Sequence, residues 1–590
     1  TVNGAVWFDP GYTANPLVYC GSVGIAPKGA NPHNITPGDH IIVLGGRTGR
    51  DGLRAATFSS MTMDAQTGEV SGASVQIGAP IVEKGLVDVL MFARDQKLYH
   101  AITDCGAGGL SSAVGEMASE CGGEVQLANV PLKYTGLTPW EIWLSEAQER
   151  MVIAVPGESL AALQALCDEY EVELTDIGFF TNSGRIKIWY HDQIVLDLDN
   201  EFLHHGLPQR QYKASIQTPR FRAGEQNLES QKIVSGFNSV LLKLLSHPNI
   251  ASKERIIRDY DHEVQGGTIV KPLCGLLHDG PSDGSVIKPL ASSTDHAFVL
   301  SNGLNPEYGK QDPYHMTLLA VDEAIRNAVA CGADPDRIAL LDNFCWGDPN
   351  KPEIMGDLVL SAQACYDAAL LNHAPFISGK DSFNNEYLGS DSKVHAIPPT
   401  LLISALGWMP DWQLALTMDL KKAGHLLYLV GAHQPCFGGS HYNLTHPENS
   451  LQEGVPLYNQ NNPQNYRTLY KAIQNKIISA CHDLSEGGLA LALAESCLAG
   501  RLGARIDLQA TNDPLRILFG ETSGCLLVEV SPNNQAAFET ALADCPFQKI
   551  GKVVKDQTLS VFAGSTLLLE STMSDLLSAW KDRRFAGGRS

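Results

Sequence analysis

The chain has no C-x-x-C pair, and its 13 cysteines are scattered and odd in number. Neither a zinc site nor a disulfide framework is signalled, and most of these cysteines read as small buried apolar residues. Basic charge is scarce: 43 Lys and Arg stand against 65 Asp and Glu, a formal net charge of -22. That balance repels a phosphate backbone and argues against general nucleic-acid binding, while small phosphates held by local amides, lysines and metal stay open. No apolar run approaches the roughly 20 residues of a membrane span, and the first residues lack a charged start followed by an apolar segment. The expectation is a cytoplasmic protein with no membrane attachment. Low-complexity tracts are absent as well.

What is present is length and repetition. At 590 residues the chain is too long for one core and predicts about three or four domains. Four landmarks recur in the same order. "NPLVYCGSVGIAP" from Asn15 resembles "PPTLLISALGWMP" from Pro398, and "ITPGDHIIVLGG" from Ile35 resembles "LKKAGHLLYLVGA" from Leu420. "TDCGAGGL" around Asp104 pairs with "HDLSEGGL" around Asp483, and "WLSEAQERMVIAV" from Trp143 pairs with "ILFGETSGCLLVEV" from Ile517. Such order predicts a duplicated unit. Copy two reaches back to about Ile233, whereas copy one has fourteen residues before Asn15. Roughly the first two-thirds of a domain is therefore expected to be missing from copy one, and a first residue Thr1 rather than Met hints at the same. The polar, locally basic stretch 208–231 reads as a connection. Glycine-bounded β-type runs alternate with helical patterns over Tyr314–Ala330 and Asp357–Leu371, which favours mixed α/β layers.

Several strings carry chemistry. In "TDCGAGGL" and "HDLSEGGL", glycines at a helix start bare backbone N–H groups for a phosphate, and the acid is placed for a cation or for an ordinary N-cap. Recurrence favours a nucleotide or metal role for at least one copy. "GGRTGRDGLRAATFSS" from Gly45, with Arg47, Arg50 and Arg54, fits an anion-binding loop and a solvated turn equally, and does not match a phosphate loop. "FISGKDSFNNEY" offers Gly379, Lys380, Asp381 and Ser382 after an apolar run, as at the ligand edge of an α/β sheet, or as plain turn chemistry. Glu323 and Asn327 lie one helical turn apart, and Asp342 and Asn343 end a buried run; oxygens so placed suit Mg2+, though as isolated residues they read first as a solvated helix face. In "LSEAQERM", Glu146, Gln148, Glu149 and Arg150 crowd one turn, either as a recognition group for a polar small molecule or as a charged hairpin rim.

Taken together, "TVNGAVWFDPGYTANPLVYCGSVG", "GGRTGRDGL", "ATFSS", "VQIGAP", "TDCGAGGLSS", "LSEAQERM", "DNFCWGDPNKPEI" and "SGKDSFNNEY" resemble the synthetase subunits of phosphoribosylformylglycinamidine synthases, the fourth step of purine biosynthesis, over essentially the whole chain. The resemblance implies tandem duplicated A and B domains of the aminoimidazole ribonucleotide synthetase (PurM-like) kind, with the A domains forming a central barrel. It divides the chain into a remnant of A1 over 1–36, B1 over 37–213, a linker over 214–232, A2 over 233–423 and B2 over 424–590. It implies an ATP- and Mg2+-dependent conversion of formylglycinamide ribonucleotide to the amidine with ammonia.

By the same resemblance, Asp104 matches a magnesium ligand, and Gln76, Glu146, Ala147, Gln148 and Ser382 match substrate contacts. Asp342 and Gly379 match ATP contacts supplied from A2. Lys380 stands where many small members use a magnesium-binding Asn; a protonated lysine cannot ligate a metal, so a phosphate contact is expected there. Glu323, Asn327, Asp483 and Ser485 match residues that hold a second, non-turnover nucleotide with magnesium in large members. The family's catalytic histidine belongs to the expected missing part of A1, and His100 in "LYHAITD" reads as a strand-end residue instead. The chain alone is therefore expected to be inactive, with the remaining N-terminal segment as one partner. Ammonia would come from a separate glutaminase subunit, with a small accessory subunit. Selenophosphate and aminoimidazole ribonucleotide synthetases have one copy per chain and lack "SEAQERM", and a non-catalytic nucleotide-binding scaffold is the competing reading from another class.

Overall fold

The computed structural model describes residues 1–53, 62–64, 66–67, 78–227, 236–259 and 261–581. Contacts divide the chain into a smaller unit, residues 20–211 with 387–394, and a larger one, residues 1–19 with 212–386 and 395–590.

The smaller unit is built on seven strands: β1 (His40–Gly45), β2 (Ala101–Asp104), β3 (Gly123–Gln126), β4 (Arg150–Val155), β5 (Leu174–Phe180), β6 (Arg185–Tyr190) and β7 (Gln193–Asp199). They lie in the order β2-β4-β1-β5-β3-β6-β7. The run "HIIVLG" is apolar without alternation because both faces of β1 are covered. Ile41 and Val43 join a core with the helix Leu110–Met117. Ile42 and Leu44 join another with the helices Pro80–Asp95 and Leu160–Glu169.

In the larger unit, β8 (Thr268–Val270), β9 (Gly284–Ile287), β10 (Ala297–Gly303), β11 (Ile338–Cys345), β12 (Phe376–Ser382) and β15 (Thr400–Met409) form a sheet ordered β12-β11-β15-β10-β9-β8. The segment 387–394 lies in the hairpin of β13 (Glu386–Leu388) with β14 (Val394–Ala396). A second seven-stranded sheet follows, from β16 (Leu426–Val430), β17 (Ile478–Asp483), β18 (Gly503–Leu508), β19 (Leu526–Val530), β20 (Phe547–Val554), β21 (Thr558–Ala563) and β22 (Thr566–Thr572). Its order, β17-β19-β16-β20-β18-β21-β22, repeats that of the smaller unit strand for strand. Even the register irregularity recurs, between Ile41 and Ile42 against β5 and between Leu427 and Tyr428 against β20.

The helix Pro313–Ala330 starts on an Asp312 cap that accepts from the His315 N–H at 3.0 Å, and is buried along most of its length. Beside it runs Pro352–Asn372, whose 21 residues and mean hydropathy of 1.2 do reach the length and composition of a membrane span. This corrects the expectation that no segment does. The averaging hides the pattern: Ala364, Cys365 and Ala368 enter the same core as Pro313–Ala330, and Asp367 accepts a 2.7 Å hydrogen bond from the Tyr314 hydroxyl. Of the 13 cysteines, all but Cys20 and Cys121 are buried and none is bridged.

Two connecting stretches are tied down. Residues 1–19 lie along the larger unit, where the Phe8 N–H donates to Asn249 Oδ1 at 2.7 Å and Tyr12 meets the Thr400 hydroxyl at 2.6 Å. The described part of the connection is held likewise, by Ser215 N–H on the Pro352 carbonyl (2.7 Å), Gly224 N–H on that of Val455 (2.8 Å) and Gly454 N–H on that of Glu225 (3.0 Å). Its far end meets a buried bidentate pair, Arg516 with Glu453 at 2.6 and 2.7 Å, which also binds the Asn227 backbone at both ends. Removing one partner of such a pair strands a buried charge, at a cost of about 3–5 kcal/mol. Glu453→Gln is accordingly expected to lower stability in urea unfolding by about 3 kcal/mol and to speed tryptic cleavage between residues 210 and 222.

Candidate active site and its replica

In the smaller unit, Asp104 ends β2, and Gly108 and Gly109 lead into the helix Leu110–Met117. Gly109 has φ +57°, and a Cβ there would lie 1.9 Å from the Ser145 carbonyl oxygen. Only glycine lets the helix start sit down on the acidic turn. That docking brings the Gly108 N–H to Glu146 Oε1 at 3.2 Å.

Arg150 holds the turn from inside. It is 4% exposed, and donates to the carbonyls of Ala147 (3.0 Å) and Ser145 (2.5 Å) and to Thr48 Oγ1 (2.8 Å). Burial pushes its pKa down. Glu149, with φ +54°, accepts the Gly46 N–H on its carbonyl at 2.9 Å and the Ala79 N–H on its carboxylate at 2.8 Å. The turn is thus neither a solvated rim nor a recognition group throughout. Arg150 and Glu149 are its scaffold, Ala147 is buried, and half-buried Glu146 and exposed Gln148 are presented by it.

Asp104 is exposed, and among the described residues no cation pairs with it. The missing Cβ of Gly106, which would lie 2.7 Å from Asp104 Oδ2, leaves room for an ion beside the carboxylate. An accessible hard oxygen ligand suits Mg2+, which keeps most of its waters. Arg47 and Arg50 of the glycine-rich loop are spoken for: they pair with Glu173 at 2.8 Å and Glu141 at 2.7 Å. Arg54 and Gln76 lie outside the described residues.

In the larger unit, the parallel pair β11 and β12 sets Asp342 opposite Gly379, Asn343 opposite Lys380 and Cys345 opposite Ser382. A Cβ on Gly379 would lie 2.2 Å from Asp342 Oδ1. Burial, with Asp381 nearby, pushes the Asp342 carboxyl up to about 6. Lys380 is exposed and its Nζ donates to the Asp381 carbonyl at 2.7 Å, while the Ser382 carbonyl accepts the Trp346 N–H at 3.0 Å. These residues stand towards the carboxyl ends of parallel strands, where α/β sheets bind ligands.

Asp483 ends β17 as Asp104 ends β2, and the local architecture repeats. A Cβ on Gly488, with φ +70°, would lie 2.4 Å from the Gly520 carbonyl oxygen, and the Gly487 N–H reaches Glu521 Oε1 at 2.9 Å. Glu521 therefore stands where Glu146 does, and Gly524, with φ +67°, where Glu149 does. The acids of this replica are engaged by protein groups. Glu521 also accepts from the Tyr308 hydroxyl at 2.5 Å and the His441 N–H at 2.8 Å. Asp483 Oδ2 accepts from Arg326 at 2.9 Å, and Arg326 bonds Asp322 at 2.6 Å.

The structure brings Glu323 and Ser485 together with Arg326 around a cavity of about 20 Å³, room for one water or a bare ion. Burial, then the charges of Glu486 and Asp483, hold the Glu323 carboxyl well above its usual range. Asn327 donates to the Asn302 carbonyl at 3.2 Å, and its buried Oδ1 has no hydrogen-bond partner. Asp283 escaped the sequence reading. Its Oδ1 accepts from His482 Nδ1 at 2.7 Å and the Asp483 N–H at 3.2 Å, and ligand atoms of Asp283, His482 and Asp483 lie within 4.8 Å of one another. In sequence it showed only as an Asp-Gly turn signal before a β-type run.

The AIR synthase related protein C-terminal domain matches residues 36–191 and again 422–564, and the corresponding N-terminal domain matches 281–409. The two C-terminal matches fall on the two seven-stranded sheets. The class is therefore an AIR synthase-related α/β protein carrying that domain twice. The chain is 32% identical to phosphoribosylformylglycinamidine synthase subunit PurL of Thermoplasma acidophilum, over 98% of this chain and 75% of that protein. Solved Thermotoga maritima structures share the fold: PurL complexed with FGAR (TM-score 0.65, 21% identity, 89% of this chain and 73% of that one), PurL complexed with ATP (0.62, 20%, 89% and 72%) and PurLQS (0.63, 21%, 89% and 72%). The chain belongs to the phosphoribosylformylglycinamidine synthase family.

Two outcomes follow from the turn. Arg150→Met leaves two carbonyls and a hydroxyl without their donor, and is expected to cost about 2–4 kcal/mol in denaturant unfolding. Arg50, with the Thr138 backbone N–H, pulls Glu141 down to about 2. Its contribution is present above the ordinary glutamate value and lost as the pH falls from there through about 2. Glu141→Gln should flatten that stretch of a Tm-against-pH profile and leave the neutral region parallel to wild type.

Proposed function

We propose that this chain carries the ATP-dependent exchange of an amide oxygen for ammonia on formylglycinamide ribonucleotide, in purine biosynthesis in the cytoplasm. The observation that carries the proposal is the exposed carboxylate of Asp104 beside a substrate turn locked from within by Arg150. An amide oxygen is a poor leaving group until it is phosphorylated, so the site must hold a triphosphate against the amide and keep water away from the activated product.

In this reading Glu146, Ala147 and Gln148, with Gln76 and Ser382, hold the ribonucleotide. Asp342, Gly379 and Lys380 take ATP, the ammonium of Lys380 lying on a phosphate once it leaves the Asp381 carbonyl. Asp104 holds Mg2+, which when bound neutralises charge moving between the phosphates. The fixed amides and carbonyls of the turn orient the substrate without reorganising during the reaction. Support comes from membership of the family and from the ATP and FGAR complexes of the Thermotoga protein. The PurLQS structure supports partner subunits, which we read as a glutaminase supplying ammonia and a small accessory protein. The same reading keeps domain boundaries at 36/37, 213/214, 232/233 and 423/424, and assigns Glu323, Asn327, Asp483 and Ser485 to a second, non-turnover nucleotide and magnesium site.

The test is ADP release by the full-length protein with ATP, Mg2+, ammonium and formylglycinamide ribonucleotide. Release should require all four. Asp104→Asn should lower kcat by about 10²- to 10³-fold with an unchanged Tm, and Glu146→Gln should mainly raise KM for the ribonucleotide. Nucleotide binding without ribonucleotide-dependent turnover would establish a scaffold instead.

A further inference from the structure

The two modules share one architecture but differ at the acid. Asp104 is open to solvent, whereas its counterpart Asp483 is 5% exposed and meets a guanidinium. That guanidinium is itself 3% exposed and placed by more than Asp483. Arg326 binds Asp322 Oδ2 at 2.6 Å, Asp483 Oδ2 at 2.9 Å and the Leu484 carbonyl at 3.3 Å. Asp322 is saturated by other donors, the Tyr466 hydroxyl at 2.6 Å, Asn462 Nδ2 at 3.0 Å and the Gly524 N–H at 3.0 Å. Arg326 is thus anchored at one end by an acid with no spare capacity and offers its other end to Asp483. Around them stand Glu323, Glu486 and Asp283, and one turn from Glu323 is the unpartnered Oδ1 of Asn327. Of these, Glu323 and Glu486 line a space the size of an ion together with Arg326 and Ser485, and carboxylates are hard oxygen donors.

We infer that Arg326 is a resident counter-ion for Asp483, and that a divalent cation enters this cleft only by displacing the guanidinium from that carboxylate. The inference rests on the reading of Glu323, Asn327, Asp483 and Ser485 as a second metal and nucleotide site, and states what controls its occupancy. The guanidinium and a metal both need Asp483 Oδ2, and a 20 Å³ space walled on one side by Arg326 does not hold a nucleotide. The first module has no such competitor among its described residues. One architecture therefore yields an open acid and a self-liganded one.

The probe is Mn2+ alone, titrated against the intact protein by electron paramagnetic resonance, in an Asp104→Asn background that silences the first module. Arg326→Met should bind one Mn2+ roughly tenfold or more tightly than the unaltered arginine, and the added Asp483→Asn should abolish that gain. The Tm of Arg326→Met should fall and recover with Mn2+, a response the parent lacks. Equal Mn2+ affinity in parent and variant, both dependent on Asp483, would overturn the competition while sustaining the second site. No Asp483-dependent binding in either would overturn both. Arg326→Lys keeps the charge without the fork that spans two carboxylates; it should show the same ordering at smaller amplitude, and decides the matter should Arg326→Met not fold.

Discussion

The hydrogen bond from a glycine N–H to a glutamate carboxylate across a helix start and an acidic turn organises both modules. It joins Gly108 to Glu146 and Gly487 to Glu521. It forms because the next residue has no side chain, so that the helix start closes onto the carbonyl of Ser145 or of Gly520. The acid at the end of the adjacent strand, Asp104 or Asp483, is placed by the same closure. The Gly-Gly pair is thus a steric requirement first, and its bared amides serve the glutamate before they serve any ligand.

From that shared frame the two copies diverge by what fills the space in front. In the larger unit the filling is a buried polar network: Tyr308 and His441 on Glu521, Arg326 on Asp483, Tyr466 and Asn462 on Asp322. Burying so many carboxylates is costly unless they find donors, and the donors gathered on Asp322 and Glu521 fix one arrangement of helix and sheet. In the smaller unit Asp104 is exposed and Glu146 half-buried, and among the described residues no cation pairs with Asp104.

The repeat was legible because its signals are backbone signals. Gly38 and Gly424, Gly45 and Gly431, and Gly109 and Gly488 all take positive φ at matching places, and such positions show as glycine in the bare sequence. The acidic turn was legible as a place but not as a division of labour. Arg150 and Glu149 are as polar as Glu146 and Gln148, and nothing in the letters says that a guanidinium points inward to bind carbonyls. Asp283 and Arg326 were passed over for a related reason. The first sits in the turn before β9, remote in sequence from Asp483, and the second lies between Glu323 and Asn327, where a basic residue reads as helix surface. Long-range pairing decides both, and periodicity carries no trace of it. The hydropathy of Pro352–Asn372 failed in the opposite direction, because an average cannot see that Ala364, Cys365 and Ala368 enter a core while Val359, Tyr366 and Leu370 are exposed.

The acidic turn also fixes a chain segment by its two ends. At one side the Glu146 N–H holds the Asp51 carbonyl at 2.9 Å, and at the other the Glu149 carboxylate holds the Ala79 N–H at 2.8 Å. Whatever course the chain takes between those moorings, it departs from and returns to a single rigid bracket only a few residues wide. A tether closed in this way tolerates changes in its length at small entropic cost, since closure entropy grows only with the logarithm of the loop. The separation of the segment's two ends is therefore set by the bracket and not by the length of chain between them.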